Sequence, residues 1–458
     1  MSVAVDTPPA RLSLRTCLGF GVGTIGVSVM LNAVTAYFPA FMSTVLGQST
    51  ETAGLLLMAS KLYDAVADVI IGSLSDRTRS RWGRRRPFLL AGAFVSALSF
   101  LLLFTPGEMD STALLVYMSA ALILYSTGYS LFNVPYMAMP SEMSDSFQER
   151  TRLLSFRTVF VSIGQLLALA ATAALISAGG GGAQGYRVMG VVMALVILSA
   201  MLASFFGTAG ARAIERTHVV NDGFSLTQTL QLFRNRPFTM LVCAKVFQFL
   251  SFASVATTSL LFMLNVLHIG YAGQIHLAVS LNITVALAMP LCVKLGATIG
   301  KRKTYLLGVA FFCAGALSWL FADASISLPG IWIRGIIAGL GSGALILMSI
   351  SMLSDTMAYD RRLTGLHREG LMSSVIAVVE KTVFAIGVAL VGFILKWVGY
   401  IPTVGGALVA QPESAIRGLY AGYAIIPALM FLANGIFIYF YDLDEKKFEA
   451  VTQPTRST

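Results

Sequence analysis

Residues Lys61 to Phe88 read KLYDAVADVIIGSLSDRTRSRWGRRRPF. Two carboxylates, Asp64 and Asp68, sit in a stretch that is otherwise apolar enough to cross a bilayer. The stretch ends in six arginines: Arg77, Arg79, Arg81, Arg84, Arg85 and Arg86. Charge inside a membrane helix is costly, so where it occurs it marks an ion or solute path. Arginines crowded at the end of a span mark the cytoplasmic end of that span.

The rest of the 458-residue chain supports this reading. It is 56% hydrophobic and only 12% charged, whereas soluble proteins are about 25% charged. Apolar runs long enough to span a bilayer recur throughout. Twelve spans are expected, near 14–46, 51–76, 87–106, 111–139, 153–178, 186–208, 236–267, 271–299, 303–323, 327–354, 371–399 and 414–441. The fold class is therefore an all-α membrane protein of twelve transmembrane helices in two six-helix, pseudo-symmetric halves. The expected division is an N-terminal half over 1–208, a cytoplasmic central loop over 209–235, a C-terminal half over 236–441 and a cytoplasmic tail over 442–458.

The net charge of +10 does not indicate a nucleic-acid partner, because the excess lies in short loops. The 77–86 loop, Gly300-Lys-Arg-Lys303 and the central connection with Arg212, Arg216, Arg234 and Arg236 are basic. The opposite loops carry Glu51, Glu108, Asp110, Asp323 and Glu413. This asymmetry predicts a multi-pass protein of the cell membrane (plasma or inner) with both termini cytoplasmic. The polar N-terminus with Asp6 and Pro8-Pro9 is followed by a run too long for a cleaved signal peptide. Cys17, Cys243, Cys292 and Cys313 form no metal or redox spacing. A faint repeat is visible: spans 2 and 8 are each followed by a basic loop, and spans 4 and 10 by acidic-then-basic segments. Two related halves place a solute site between them near the midplane.

Lys61, Asp64, Asp68 and Gly72 recur every three or four residues and share one helical face. Two carboxylates beside one ammonium leave negative charge. Sodium, a hard cation that prefers oxygen ligands, would neutralise it at Asp64 and Asp68. Taking a carboxylate out of water beside another also favours the neutral form, so a proton is the alternative. A structural ion pair is the plain reading. Further charges within spans are Arg157, Lys245, Glu380 and Lys381. Glu380 and Lys381 point about 100° apart. Lys381, on the face of Ser374, is a candidate partner of the aspartates or a solute contact. Arg157 offers a fork of donors to a hydroxyl or carboxylate, or else snorkels to the helix end. Span 4 aligns Tyr125, Tyr129, Asn133 and Tyr136, a face that suits a sugar or serves helix packing. Thr24, Ser28, Asn32 and Thr35 form a polar stripe on span 1, of the kind that bonds helices together.

Other patterns carry no chemistry. GVGTIG at Gly21–Gly26 lies within a span, so it is not a dinucleotide fingerprint. Gly19/Gly23 and Gly335/Gly339/Gly343 read instead as close helix contacts. The Asn282 sequon also lies within a span. No metal-site cluster, nucleotide loop or catalytic constellation occurs, so an enzyme is not expected and no cofactor is implied.

These segments together resemble the major facilitator superfamily, specifically its glycoside-pentoside-hexuronide:cation symporters, the melibiose permease-like proteins. The resemblance rests on KLYDAVAD…GSLSDRTRSRWGRRRPF, on NVPYMAMPSEM ending span 4, and on ERTRLLSFR entering span 5. It extends to NRPF at Asn235–Phe238 and to DTMAYDRRLTGLHREG before span 11. It implies that Asp64 and Asp68 bind the coupling cation (Na+ or H+), with Ser130 as a neutral ligand. It also implies that Lys61, Gly72, Asp76 and Arg77 belong to the gate and its structural motif. Lys381 and Arg157 take the place of the family's span 11 lysine and sugar-proximal arginine. With Asn133, Tyr129, Thr24 and Met137 they are the candidate substrate residues.

The chain departs from melibiose permease at Gly26 and Asn133, where that protein has acidic sugar grips, and at Met137, where it has an aromatic platform. Ala67 and Val69 depart around Asp68. A glucoside, pentoside, uronide or less polar solute stays open. The expected function is a secondary active symporter that couples inward cation movement to uptake of a sugar or glycoside-type solute by alternating access, working as a monomer. The alternatives are a lysolipid or other amphipathic-solute carrier, and a non-transporting solute sensor.

Overall fold

The structure, a computed structural model, describes residues 12–144, 147–210, 226–366, 368–407, 409–443 and 447. Arg212 and Arg216 of the central connection, Asp6 with Pro8-Pro9, and most of the C-terminal tail lie outside these residues.

Helices account for nearly all of the described chain: α1 Leu14–Ala40, α2 Thr50–Arg77, α3 Arg86–Phe104, α4 Ser111–Met143, α5 Phe147–Leu166, α6 Thr172–Ala178, α7 Ala183–Gly207, α8 Leu226–Leu232, α9 Arg236–Asn265, α10 Gly270–Thr298, α11 Lys301–Ser318, α12 Leu328–Thr364, α13 Glu369–Trp397, α14 Glu413–Tyr420 and α15 Ile426–Tyr439. Wide π turns prolong α1 through Phe41–Val45, join α5 to α6 through Leu167–Ala171, and join α14 to α15 through Ala421–Ile425. Strand-like pairing among the described residues is limited to the antiparallel bridge Leu46–Val404. A helix satisfies its own backbone polar groups, which hydrocarbon cannot do.

Eleven helical stretches are long and apolar enough to cross a membrane. The twelfth expected span is α2, at 28 residues. Its length suffices, but Lys61, Asp64 and Asp68 interrupt its apolar run. Exposed faces are apolar: Trp397 is 89% exposed, Leu287 75% and Val69 72%. In water such a surface would aggregate; in a bilayer it meets acyl chains.

Local sequence signals set the helix ends. Asp110 accepts from the backbone N–H groups of Thr112 and Ala113 at the start of α4, both at 2.9 Å. Asn235 caps α9, with Pro237 in the first turn, and Ser327 caps α12, with Pro329 in its first turn. Proline costs nothing there, because the first-turn N–H groups have no helical partner. α12 stops at Gly365, which adopts a left-handed φ of 70° and donates its N–H to the Arg361 carbonyl.

Packing divides the described chain into two compact units. One holds α1 up to Thr35 together with Tyr63 through α7; the other holds Ala36–Leu62 with α8 through α15. In the first, α3 packs on α4 and α7. Gly19 of α1 faces Gly207 of α7 so closely that a Cβ on Gly19 would lie 2.6 Å from the Gly207 Cα. In the second, α12 packs against α10 and α11, and Gly335, Gly339 and Gly343 turn their bare faces toward Ser280, Thr284 and Ala288 of α10. An aromatic and aliphatic core forms there around Leu241, Tyr305, Phe312, Met348 and Phe431.

The second unit also contains the turn between α1 and α2. Thr403, Gly405 and Gly406 donate backbone N–H bonds to the carbonyls of Ser43, Val45 and Thr44 at 2.7, 2.8 and 2.9 Å. The Thr50 hydroxyl donates to the Gly392 carbonyl at 2.9 Å, and Lys396 pairs with Glu51.

Ion pairs knit the loop ends within each unit. Glu142 at the end of α4 receives Arg84 at 2.6 Å and Arg85 at 2.9 Å, and Arg85 also pairs with Asp76. In the other unit Lys301, at the start of α11, reaches Asp355 of α12 at 2.6 Å. Buried Asp360 accepts three bonds from the Arg368 guanidinium, two at 2.9 Å and one at 3.1 Å, and one from the Asn235 amide at 3.0 Å. In the first unit two arginines between α2 and α3 grip an acidic residue on α4, and in the second the lysine that opens α11, just after α10, grips one on α12. This is a structural counterpart of the repeat seen in the loops.

Two stability predictions follow from this packing. Gly19→Val should destabilise the detergent-solubilised protein by about 1–3 kcal/mol through overpacking. Gly370→Ala, whose added Cβ would meet nothing within 4 Å, should leave the melting temperature unchanged; equal shifts would show that the α1–α7 contact is not tight. Glu142→Gln removes the carboxylate that Arg84 and Arg85 share, leaving Arg85 only Asp76, and should cost about 3 kcal/mol. The exposed Glu413–Arg417 pair should cost under about 1 kcal/mol on Glu413→Gln. The same thermal melts compare the two.

Candidate functional site

The first unit brings three of the expected site residues together. Asp64 and Asp68 are one turn apart on α2, and α4 lays Ser130 against them. The Ser130 Oγ lies 3.0 Å from Asp64 Oδ1 and 2.6 Å from Asp68 Oδ1. Asp64 and Ser130 are buried, and Asp68 is half-buried. Ala67, Ile71 and Phe88 pack with Leu131 and Val134 beside them, so an apolar wall holds α2 on α4 at this level.

The chemistry follows from counting hydrogens. A serine hydroxyl has one proton to donate and two lone pairs. It stands within hydrogen-bond distance of two carboxylates but can donate to one of them at a time. Three oxygens of hard, anionic or neutral character that converge in this way suit a small hard cation. A proton placed on one carboxyl suits the same geometry, because it supplies the second donor. Lys61 precedes Asp64 by one turn on the same helix and is buried.

The remaining candidates are distributed as follows. Thr24 is buried and its hydroxyl is hydrogen-bonded to the Tyr136 hydroxyl at 2.7 Å. Tyr136 also donates to the Phe20 carbonyl, and its ring stacks on Phe20 at 4.4 Å and on Phe132 at 5.4 Å. Tyr125 donates to the Met30 carbonyl at 2.9 Å. These two tyrosines fasten α4 to α1. Tyr129 is buried between them along α4, while Asn133 is half-buried and Met137 exposed one and two turns beyond Ser130. Arg157 of α5 is half-buried, and its buried Nε has no hydrogen-bond partner. Gly72 has only an ordinary contact with Val134, at 3.5 Å from an added Cβ. Asp76 joins the Arg85–Glu142 network, and Arg77 is exposed. Lys381 lies on α13 of the other unit, next to Glu380, whose carboxylate pairs with Lys245 of α9 at 2.9 Å.

Sequence reasoning missed two of these features. It took Arg84 and Arg85 only as orientation charges and did not single out Glu142, although the acid closes the NVPYMAMPSEM segment. It also weighed Lys245 and Glu380 separately. They are 135 residues apart, and only their shared isolation within spans hinted at a pair.

The family model described as MFS/sugar transport protein matches residues 19–445. A glucuronide carrier protein homolog of Escherichia coli (strain K12) is 30% identical, with 96% of this chain and 95% of the relative aligned. An isoprimeverose transporter of Lactiplantibacillus pentosus is 25% identical over 93% and 88%. An inner membrane symporter of Escherichia coli (strain K12), YicJ, is 25% identical over 93% and 91%. Among solved structures, a chain from work on substrate recognition in proton dependent oligopeptide transporters aligns with a TM-score of 0.66 at 14% identity, covering 96% of this chain and 99% of that one. The nucleoside transporter NupG, as a D323A mutant, aligns with a TM-score of 0.63 at 11% identity over 92% and 99%. These structures share the fold. With a family match across nearly all of its length, the chain belongs to the MFS/sugar transport proteins, in their glycoside-pentoside-hexuronide:cation symporter branch, and is a multi-pass membrane transporter rather than an enzyme.

Proposed function

We propose that this protein is a symporter that couples inward movement of Na+ or H+ to uptake of a sugar or glycoside, with Asp64, Asp68 and Ser130 holding the cation. The observation that carries the reading is the Ser130 hydroxyl within hydrogen-bond distance of both carboxylates. Relatives named as a glucuronide carrier homolog, an isoprimeverose transporter and a symporter support the solute class and the coupling.

In this reading the cation neutralises the aspartate pair, which makes the charged face of α2 easier to carry through apolar surroundings. Cation and solute favour each other's binding, and the coupling is reciprocal. Asn133, Tyr129, Arg157, Lys381, Thr24 and Met137 are the solute-side candidates. Thr24 acts there through its hold on Tyr136. In this reading both termini are cytoplasmic, in keeping with the basic loops, and a single chain suffices for transport.

The test is solute-driven cation flux in right-side-out vesicles, with external pH and sodium recorded together while neutral glycosides, uronides and lysolipids are added in turn. A fall in external sodium or a rise in external pH with one sugar class identifies both solute and ion. Response to lysolipids alone, or saturable binding without flux, overturns the proposal. Asp68→Asn should abolish accumulation against a gradient while the protein still inserts; full accumulation would remove the aspartate from the coupling site. Ser130→Ala should raise the half-saturating cation concentration about tenfold, the loss of one hydrogen bond or ligand to a charged group. An unchanged value would exclude Ser130 from the site.

A further inference from the structure

The Lys245–Glu380 pair, at 2.9 Å, lies within the second unit. Lys245 stands about 14 Å along α9 from its start, and Glu380 about 17 Å along α13. The two side chains keep 14% and 30% of their surface exposed. Charges that far into a span face water or protein, because hydrocarbon penalises them heavily. Exposed charge at mid-span therefore indicates a wetted face.

The pair has suitable neighbours. Phe249, one turn after Lys245, is half-buried, and the Lys245 ammonium lies 5.5 Å from its ring centroid. Gln248, in the same turn, is 2% exposed, and its Oε1 has no hydrogen-bond partner. An aromatic face, a donor, a carboxylate acceptor and an unclaimed amide oxygen thus occur within one turn of α9 and the facing turn of α13.

We propose that Lys245, Glu380 and Phe249 form a sugar subsite on the second unit that takes the neighbouring hydroxyls of an uncharged glycoside. This inference rests on the transport reading above. An ammonium and a carboxylate in contact offer a donor beside an acceptor. Two adjacent hydroxyls on a pyranose ring present the complementary pair, while the apolar face of the ring lies on the aromatic side chain. The pair carries no net charge, so it gives an acid sugar no electrostatic advantage here. An acid sugar's carboxylate would have to displace Glu380 from Lys245, leaving the Glu380 carboxylate without its counter-charge partway along a span.

The competing explanation is an ion pair that only locks α9 to α13, and two measurements on the full chain separate the two. First, Ala377→Cys, exposed and one turn before Glu380 on α13, is made in a background lacking other cysteines, so that the Lys245–Glu380 pair stays intact. A charged maleimide is then applied to membranes opened to both sides. The cysteine should be modified, and a neutral hexoside or pentoside should slow its modification, with the matching uronides protecting less. No modification, or modification that no glycoside slows, overturns the subsite. Because alkylation requires neither flux nor a cation, this result stands apart from the vesicle assay.

Second, the charges are exchanged as Lys245→Glu with Glu380→Lys. A helix lock tolerates the swap, and full transport would overturn the proposal. A subsite exchanges donor and acceptor positions, so the solute KM should rise about 10- to 100-fold, with insertion and cation half-saturation unchanged. Phe249→Leu, which keeps the packing volume close, should raise KM without altering the melting temperature.

Discussion

A carboxylate is costly at the centre of a bilayer, and α2 carries two of them one turn apart. Much of the first unit is arranged around that constraint. α4 supplies a hydroxyl to both aspartates, and apolar residues of α2, α3 and α4 close around them. The tyrosines on either side of Ser130 along α4 are bonded to the backbone of α1. The serine is thereby held in place by packing and by the bonds of neighbouring tyrosines to the α1 backbone. The surrounding helices, rather than anything bound between the carboxylates, keep this arrangement in shape.

The same economy governs charge elsewhere. Lys245 and Glu380 neutralise each other at mid-span, and at helix ends Glu142 gathers two guanidinium groups and Asp360 one. Helix-end ion pairs occur in both units, with the base following α2 in the first and opening α11 in the second, and the acid on α4 or α12. Arginines that the sequence reads as orientation signals thus also fasten helices to one another. A guanidinium has donors in several directions, so one face can meet lipid phosphate or water while another holds a carboxylate.

Much was legible in the sequence. The apolar runs establish helices because hydrocarbon offers the backbone no other way to satisfy its polar groups. Even α2, the least apolar of the spans, is recognisable by length and by the rhythm of its charges. Asp64 and Asp68 stand out by spacing alone. Ser130 did not: it is one serine among many on apolar helices, and only family resemblance singled it out. Thr24 looked like one of a stripe of exchangeable hydroxyls, whereas its place is set by Tyr136, 112 residues away.

The sequence by itself determined the helical class, the location of the spans and the presence of carboxylates where hydrocarbon forbids them without a purpose. These properties depend on local composition and on the 3.6-residue period. Tertiary structure alone decided which hydroxyl faces the aspartates, that Lys245 meets Glu380, and that Ala36–Leu62 packs with the second unit rather than the first. Each of these depends on which helix faces lie together. Helix–helix packing in a membrane is set by small residues and shape, and neither leaves a mark in sequence as strong as a run of apolar residues.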